Sequence, residues 1–264
     1  MVTADRSRDR VQSIERGMAV LRVFDGPERR LGASEIAART GLPRPVVRRI
    51  LLTFEHLGYV RSERGQWSLT ARILELGSGY FAASSLPELA HPILLDIVAE
   101  LHESTSVGVL EGTDIVHVAR VDDGRPLGHT LRIGARLPAH ATSLGRVLLA
   151  EKTDAEIAEL YRGVPLERFT PRTAARLEEL LAQVAEARES GYDVSIEEYN
   201  PGMLAAAVPI SVEGTAIGAL GVSSTTVRED ERSLREVVVP RLRAGAAELA
   251  RAYRDANPRP FRNR

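Results

Sequence analysis

A turn rich in glycine and proline, Gly41-Leu42-Pro43-Arg44-Pro45, places the strongest constraint on how this 264-residue chain folds. Before it, Ser34 is a good N-cap for a short helix that the glycine closes. After it, Pro45 disfavours helical geometry at Arg44 and itself suits the first turn of a helix. The sequence therefore predicts two helices joined by a tight turn, the second running from Pro45 to near Gly58.

The second of these helices is apolar on one side and cationic on the other. Its apolar residues recur at the spacing of one helical face, at Val47, Ile50, Leu51, Phe54 and Leu57. Arg48 and Arg49 fall on the opposite side. A first amphipathic helix precedes the pair, with apolar positions at Val11, Ile14, Met18, Leu21 and Phe24. This layout is typical of a helix-turn-helix; the alternative is a structural three-helix module whose arginines are merely solvated.

The segment after the arginine-bearing helix predicts a β-hairpin. Tyr59-Val60 and Trp67-Ser68-Leu69 are strand-like and enclose a polar tip that ends in glycine. A hairpin appended to a helix-turn-helix makes a winged helix, and Trp67 is expected to anchor the hairpin on the helices. The candidate DNA-contacting side chains on helices and wing are Ser34, Arg44, Arg48, Arg49, Thr53, Arg61, Arg64 and Gln66.

Charge is distributed unevenly along the chain. The net charge is −1, yet residues 1–80 carry +5 and residues 81–264 carry −6. Such an asymmetry is expected when one part of a protein meets a polyanion and the other does not. Double-stranded operator DNA is therefore the predicted partner of the basic part.

Several functional classes are excluded by residues that the sequence lacks. The absence of cysteine excludes disulfides and thiolate metal sites. The charged N-terminus and the lack of a long apolar tract predict a cytoplasmic protein without membrane contact. The histidines show no metal-ligand spacing and no nucleophile or nucleotide-binding motif is present, so neither catalytic residues nor a metal is predicted. Two alternatives stay open: an enzyme tethered to nucleic acid, and a structural DNA-binding protein with an empty sensor domain.

The acidic part of the chain changes its apolar period repeatedly, which predicts an α+β domain with a largely antiparallel sheet. A helix opened by Pro87 comes first. The predicted strands lie at 106–110, 115–119, 129–133, 192–198, 204–211 and 215–223. The further predicted helices lie at 143–150, 154–162, 172–189 and 229–254. The expected domains are a DNA-binding domain at 1–69, a linker helix at 70–86, an effector-binding domain at 87–256 and a tail at 257–264.

Six short stretches make the chain resemble the IclR family of bacterial transcriptional regulators. They are Ile14-Glu15-Arg16-Gly17, Glu35-Ile36-Ala37, Gly41-Leu42-Pro43, Arg48-Arg49-Ile50-Leu51-Leu52-Thr53, Leu57-Gly58-Tyr59-Val60 and Ile73-Leu74-Glu75-Leu76-Gly77. The double arginine with Leu-Leu-Thr behind it favours the subgroup that controls protocatechuate and β-ketoadipate pathway genes. Many members have Ser-Thr where this chain has Pro45-Val46, which shifts the expected DNA contacts to the neighbouring arginines.

The resemblance implies the architecture and partners of the family. The expected fold is an N-terminal winged helix-turn-helix, a linker helix and a GAF-like α+β effector-binding domain. The expected assembly is a homodimer, with pairing of dimers into tetramers, and RNA polymerase is a candidate protein partner. The expected function is effector-responsive regulation of aromatic-acid catabolism genes, with another small-carboxylate pathway as the alternative.

A loop that ends in Thr142-Ser143 at a predicted helix start is the candidate effector-binding segment. From the residues alone it suits a carboxylate, and it equally suits an ordinary N-cap without ligand. The resemblance implies that the loop and three strands line a small-molecule pocket through Ala141, Thr142, Ser143, Leu144, Ser195, Tyr199, Met203, Ala205, Gly221 and Ser223.

Two arginines, Arg132 and Arg136, precede this loop and are candidates to bind a ligand carboxylate bidentately. The alternatives are solvation or pairing with Glu197 and Glu198. The expected effector is a small organic acid, either an aromatic acid or an oxo-dicarboxylate, and no cofactor is predicted.

Overall fold

The computed structural model describes residues 10–26, 28, 30–124 and 131–257 of the chain, the side chain of Ala82 excepted. The chain forms two compact units, divided between Ala83 and Ser84. The division falls within the predicted linker.

The N-terminal unit is a winged helix, as predicted. Its helices are α1 (Gln12–Arg22), α2 (Ala33–Thr40), α3 (Arg44–His56) and α4 (Glu75–Ala83). Its strands are β1 (Leu31–Gly32), β2 (Val60–Glu63) and β3 (Gln66–Leu69). The wing is the antiparallel pair β2–β3, and β1 adds a third strand beside β3 that the sequence did not predict, pairing Leu31 with Trp67.

The start of α2 corrects one sequence prediction. The N-cap is Gly32, not Ser34, which lies exposed within the first turn. The Glu35 carboxylate accepts a hydrogen bond from the Gly32 amide at 2.6 Å, and the pairing of β1 with β3 holds this glycine extended. At the other end Gly41 has φ 68°, the left-handed conformation that closes a helix, as predicted.

The core of the winged helix explains which apolar residues of α1 are covered. Val47 and Leu51 of α3 are fully buried, and Trp67 is buried among the helices, which confirms its role as an anchor. From α1 the core takes Val20 and the side near Gly17, which lies against the Phe54 ring. Of the predicted stripe, Phe24 is buried and Leu21 packs against this core, whereas Val11, Ile14 and Met18 are exposed.

The linker helix α4 also presents apolar residues to solvent. Thr70 caps the turn before it by accepting a hydrogen bond from the Arg72 amide at 3.3 Å. The exposed large side chains of this segment are Leu74, Leu76, Tyr80 and Phe81.

The C-terminal unit is a six-stranded antiparallel sheet with helices on both faces, which confirms the predicted α+β class. Its strands are β4 (Ser104–Glu111), β5 (Asp114–Val121), β6 (Arg136–Pro138), β7 (Asp193–Ile196), β8 (Met203–Val212) and β9 (Thr215–Thr225). They are arranged in the order β6-β5-β4-β9-β8-β7.

The helices of this unit form two layers. They are α5 (Leu86–Leu101), α6 (Ser143–Leu149), α7 (Asp154–Leu160), α8 (Leu177–Ser190), α9 (Glu231–Ser233) and, after a π-helical stretch (Leu234–Val238), α10 (Val239–Ala256). One core joins the sheet to α5 and α10, and a second joins its other face to α6, α7 and α8.

One predicted strand is wrong in its described part. Of the predicted strand 129–133, residues 129 and 130 lie outside the described residues, and residues 131–133 are not in a strand. The edge strand is β6 instead, and it pairs with β5 after a turn in which Gly134 has φ 88°. Apolar alternation could not place this strand because only its pairing with β5 sets its position.

Candidate functional site

Helix α3 offers a row of cationic side chains on the side away from its core. Arg44, Arg48 and Arg49 are exposed, whereas Val47 and Leu51 on the opposite side are buried. None of the three arginines forms an ion pair with a described residue, so their guanidinium groups are free to bind anions.

The other DNA-contact candidates lie around this helix. The Thr53 hydroxyl donates to the Arg49 carbonyl oxygen at 2.9 Å, within α3. The wing is tied to α3 by a hydrogen bond from the Ser62 amide to the Glu55 carboxylate at 3.1 Å. At its tip, Arg64 has φ 52° and the next glycine φ 79°, as a tight two-residue hairpin turn requires. The exposed candidates outside α3 are Ser34, Arg61, Arg64 and Gln66.

Two adjoining cavities of about 90 and 60 Å³ lie between the sheet and the segment from β6 into α6. They share five lining residues, Leu131, Leu137, Thr142, Ala205 and Ser223. The structure brings all the loop and strand candidates together in these linings, namely Ala141, Thr142, Ser143, Leu144, Ser195, Tyr199, Met203, Ala205, Gly221 and Ser223.

The two candidate arginines before the loop do not line either cavity. Arg136 pairs with Asp114 at 3.0 Å and also donates to the Glu111 carbonyl oxygen at 3.1 Å, while Arg132 is exposed. The strand that carries Arg136 is the sheet edge, and its side chain reaches along β5 instead of inward. The placement of these arginines at the pocket is therefore a prediction that the structure corrects.

The cation that does line the larger cavity is Arg120, which the sequence analysis missed. Its side chain is 4% exposed, and it donates from Nε and Nη2 to the same Asp122 oxygen at 2.7 and 2.6 Å. A β-bulge explains the omission. Gly108 pairs with His117 but Val107 with Ala119, so one extra residue of β5 reverses the alternation of faces before Arg120.

His117 lines the smaller cavity, and the sequence did not predict this residue as part of the pocket either. Its side chain is buried, and neither ring nitrogen has a hydrogen-bond partner among the described residues. Burial, with a smaller effect of the Arg120 charge, lowers its pKa to about 4. The imidazole is therefore neutral at pH 7 and has one donor and one acceptor unused.

The side chain of Thr142 acts as a helix cap, the alternative that the sequence left open. Its hydroxyl accepts from the Gly145 amide and donates to the Pro138 carbonyl oxygen, both at 3.2 Å. Because the hydroxyl proton is already donated within the loop, Thr142 has no donor left for a ligand.

A buried ion-pair network fastens α6 to the strand and loop on the far side of the cavity. Arg146 is 1% exposed; it donates to Asp193 at 2.7 Å and to the two Glu198 oxygens at 2.5 and 2.9 Å. Glu197 instead contacts Arg172 at 3.7 Å. The network spans from the helix behind the loop to the segment that contributes Ser195 and Tyr199.

Two further properties bear on the class of protein. No group of three or more His, Asp or Glu side chains in the described part of the chain could hold a metal ion. Nor does any single described helix combine the length and apolar character needed to cross a membrane.

A winged helix with unpaired arginines on its recognition helix, in one chain with a cavity-bearing α+β unit, defines a ligand-responsive DNA-binding regulator. Two family models match the chain: the IclR helix-turn-helix domain over residues 13–64 and the bacterial transcriptional regulator IclR C-terminal domain over residues 79–251. The chain belongs to the IclR family of bacterial transcriptional regulators.

Individual relatives agree with this assignment. The chain is 36% identical to the Pca regulon regulatory protein of Pseudomonas putida, covering 91% of this chain and 84% of the relative. It is 34% identical to the p-hydroxybenzoate hydroxylase transcriptional activator of Acinetobacter baylyi, covering 92% of each. An IclR homolog from Microbacterium hydrocarbonoxydans, solved in complex with 4-hydroxybenzoate, has a TM-score of 0.77 and 27% identity over 92% of this chain and 99% of its own.

These matches confirm the predicted family, fold class and regulatory function. They also decide between the regulator and the tethered enzyme, since the family and these relatives regulate transcription. The helix-turn-helix match makes DNA the macromolecule that this chain binds.

Proposed function

We propose that this regulator controls genes of aromatic-acid breakdown and responds to a small aromatic acid bound in the two adjoining cavities. The observation that carries the proposal is a buried cation, Arg120, in an otherwise mostly apolar lining. Apolar walls suit a ring and a guanidinium suits a carboxylate. Relatives named for the Pca regulon and for p-hydroxybenzoate hydroxylase support the pathway.

Two other effectors are candidates: an oxo-dicarboxylate, and an acid of another small-carboxylate pathway. Arg120 is the one charged residue in the described linings. A second carboxylate in so apolar a cavity would lack a cationic partner, and burying an unpaired charge is costly. The aromatic monoacid is therefore the better match.

Thermal unfolding in the presence of candidate acids tests the effector. We expect protocatechuate or 4-hydroxybenzoate to raise the melting temperature and to change operator affinity, whereas 2-oxoglutarate does neither. A ligand at a hundred times its Kd stabilises by about 2.7 kcal/mol, which corresponds to roughly 5–10 °C for a unit of this size. A shift with the oxo-dicarboxylate alone would transfer the proposal to that class of acid. No shift with any acid would favour a sensor domain without a ligand.

For DNA, we propose that Arg48 and Arg49 contact base edges or phosphates in the major groove and Arg44 a phosphate at the start of α3. Arg61, Arg64 and Gln66 would reach the backbone or the adjacent minor groove from the wing, with Ser34 and Thr53 as further phosphate contacts. Exposure of all these side chains and the unpaired state of the three α3 arginines support this assignment.

Substitution of the α3 arginines tests this interface. Arg48→Ala and Arg49→Ala are each expected to weaken operator binding by about 1–3 kcal/mol, or roughly 5–150-fold, without lowering the melting temperature. Arg22→Ala is the matched control, because this exposed arginine belongs to α1, the helix that packs on the apolar side of α3. Fluorescence anisotropy with operator DNA measures the effect. Equal losses in all three variants would contradict the assignment.

We also propose that the protein is a cytoplasmic homodimer whose dimers pair into tetramers, with RNA polymerase as a protein partner. One winged helix reads one half-site, so two copies are needed for two half-sites about 34 Å apart. The exposed apolar residues of α1 and α4 are surfaces that a second copy would cover.

A further inference from the structure

We infer that Arg120 and His117 bind opposite ends of one aromatic ring, Arg120 the carboxylate and His117 a ring hydroxyl. The effector class is then a hydroxybenzoate, not an unsubstituted aromatic acid or an aliphatic diacid. This inference rests on the proposed function, since it takes the two cavities as the effector site.

The register of the sheet sets the spacing of the two groups. Arg120 lies opposite Ser106 and His117 lies opposite Gly108 on the same neighbouring strand, β4. Ser106 and Gly108 are two apart on β4, so they are separated by about 7 Å and face the same side, and the same holds for the residues paired opposite them. The bulge in β5 is what puts Arg120 on the side of His117. A benzene ring with one substituent at each end spans a gap of this size.

The volume of the site agrees with a single ring. The two cavities measure about 90 and 60 Å³ and share part of their lining. Their combined volume is similar to that of an engineered protein cavity of roughly 150 Å³, which binds one benzene molecule. Leu131, Leu137 and Leu144 supply apolar walls for the faces of the ring.

Arg120 has the chemistry to hold the acid end. Its Nε and Nη2 donate to one oxygen of Asp122, and its Nη1 has no partner among the described residues. The ion pair with Asp122 therefore fixes the guanidinium while leaving donors for a ligand. A carboxylate at this point would pair with a positioned, nearly buried cation.

His117 has the chemistry to hold the hydroxyl end. Its ring is 2% exposed, and an unmet donor and an unmet acceptor at this depth cost free energy until a ligand satisfies them. A phenolic hydroxyl both donates and accepts, which matches a neutral imidazole. A carboxylate only accepts, and Arg120 is its stronger partner. The low pKa of His117 keeps the ring neutral across the physiological range.

Calorimetric titration of the full-length protein with 4-hydroxybenzoate, 3-hydroxybenzoate and benzoate tests the orientation. Wild type is expected to bind at least one hydroxybenzoate about 10-fold or more tightly than benzoate. His117→Phe should abolish this preference and retain benzoate binding, which also reports that the variant is folded. Arg120→Gln should weaken all three acids by a similar factor of about 10 or more while keeping the preference.

Arg136→Gln is the matched control, because this arginine also pairs with an aspartate but lies outside the cavity linings. Equal affinities of wild type for all three acids overturn the inference. So does an equal loss of hydroxybenzoate and benzoate in His117→Phe, or an Arg120→Gln variant that binds like Arg136→Gln. Binding of the acids with any of these results leaves the proposed function standing, whereas no binding of any aromatic acid to wild type overturns both.

Discussion

Gly145→Ala is expected to destabilise the C-terminal unit by about 3 kcal/mol or more. A methyl group at this position of α6 would overlap the backbone oxygen and carbon atoms of Ala139, and no side chain can move aside to make room. Overpacking of this kind costs about 1–3 kcal/mol, and more where the obstacle is backbone. Relief requires that α6 shift away from the Ala139–Ala141 turn, whose Ala141 lines the larger of the two adjoining cavities.

The matched control is Gly79→Ala in the interior of α4. Apart from its chain neighbours and the helix's own backbone, no described atom lies within 4 Å of the added methyl group there, so the variant gains helix propensity of up to about 1 kcal/mol. Thermal unfolding separates the two: Gly145→Ala should lower the melting temperature by roughly 6–12 °C and abolish the ligand-induced rise. A Gly145→Ala protein that melts like wild type would contradict the close packing of α6 on the Ala139 backbone.

Features set by neighbouring residues could be predicted from the sequence, whereas features set by strand pairing could not. The helix end at Gly41 and the apolar side of α3 as far as Phe54 were predictable because each depends on residues within one or two helical turns. The start of α3 at Arg44, one residue before the predicted Pro45, and the exposure of Leu57 were not predicted. The strand β1 was not, because two residues carry no period and only their pairing with β3 makes them a strand. The N-cap at Gly32 was missed because the pairing of β1 with β3 is what holds this glycine extended.

The candidate site shows the same division. Residues of the loop and strands came together as the family resemblance implied, yet the two arginines chosen from the sequence lie outside the cavity. The arginine that lines the cavity is Arg120, because a single bulge in β5 turns its side chain to the same side of the sheet as His117. Whether a strand has a bulge depends on its partner strand, so alternation within β5 alone places Ala119, not Arg120, on the side of His117.

Arg146→Met is expected to cost about 3–5 kcal/mol, because it leaves two buried carboxylates, Asp193 and Glu198, without their cation. The loss should also depend on pH in a direction that identifies its cause. Burial already raises the pKa of Glu198, and the Arg146 charge opposes this; in the variant, without the guanidinium, the folded-state pKa of Glu198 rises further above its unfolded value. Protonation at low pH then relieves the charge, so the deficit relative to wild type is largest at neutral pH and shrinks as the pH falls toward 4.

Urea unfolding of Arg146→Met at pH 7.5 and 4.5 measures both effects. The matched control is Arg162→Met, whose partner Glu159 is exposed, as is the arginine itself; loss of such a surface pair costs at most about 1 kcal/mol. Adding Asp193→Asn and Glu198→Gln to Arg146→Met should recover part of the lost stability at pH 7.5, because the neutral amides do not need a cation. A deficit that is equal at both pH values and unchanged by the two amides would mean that Arg146 contributes packing alone. If the pH dependence is found, the network is what holds the Ser195 and Tyr199 side of the cavity against α6, and the effector affinity of Arg146→Met should fall at neutral pH along with its stability.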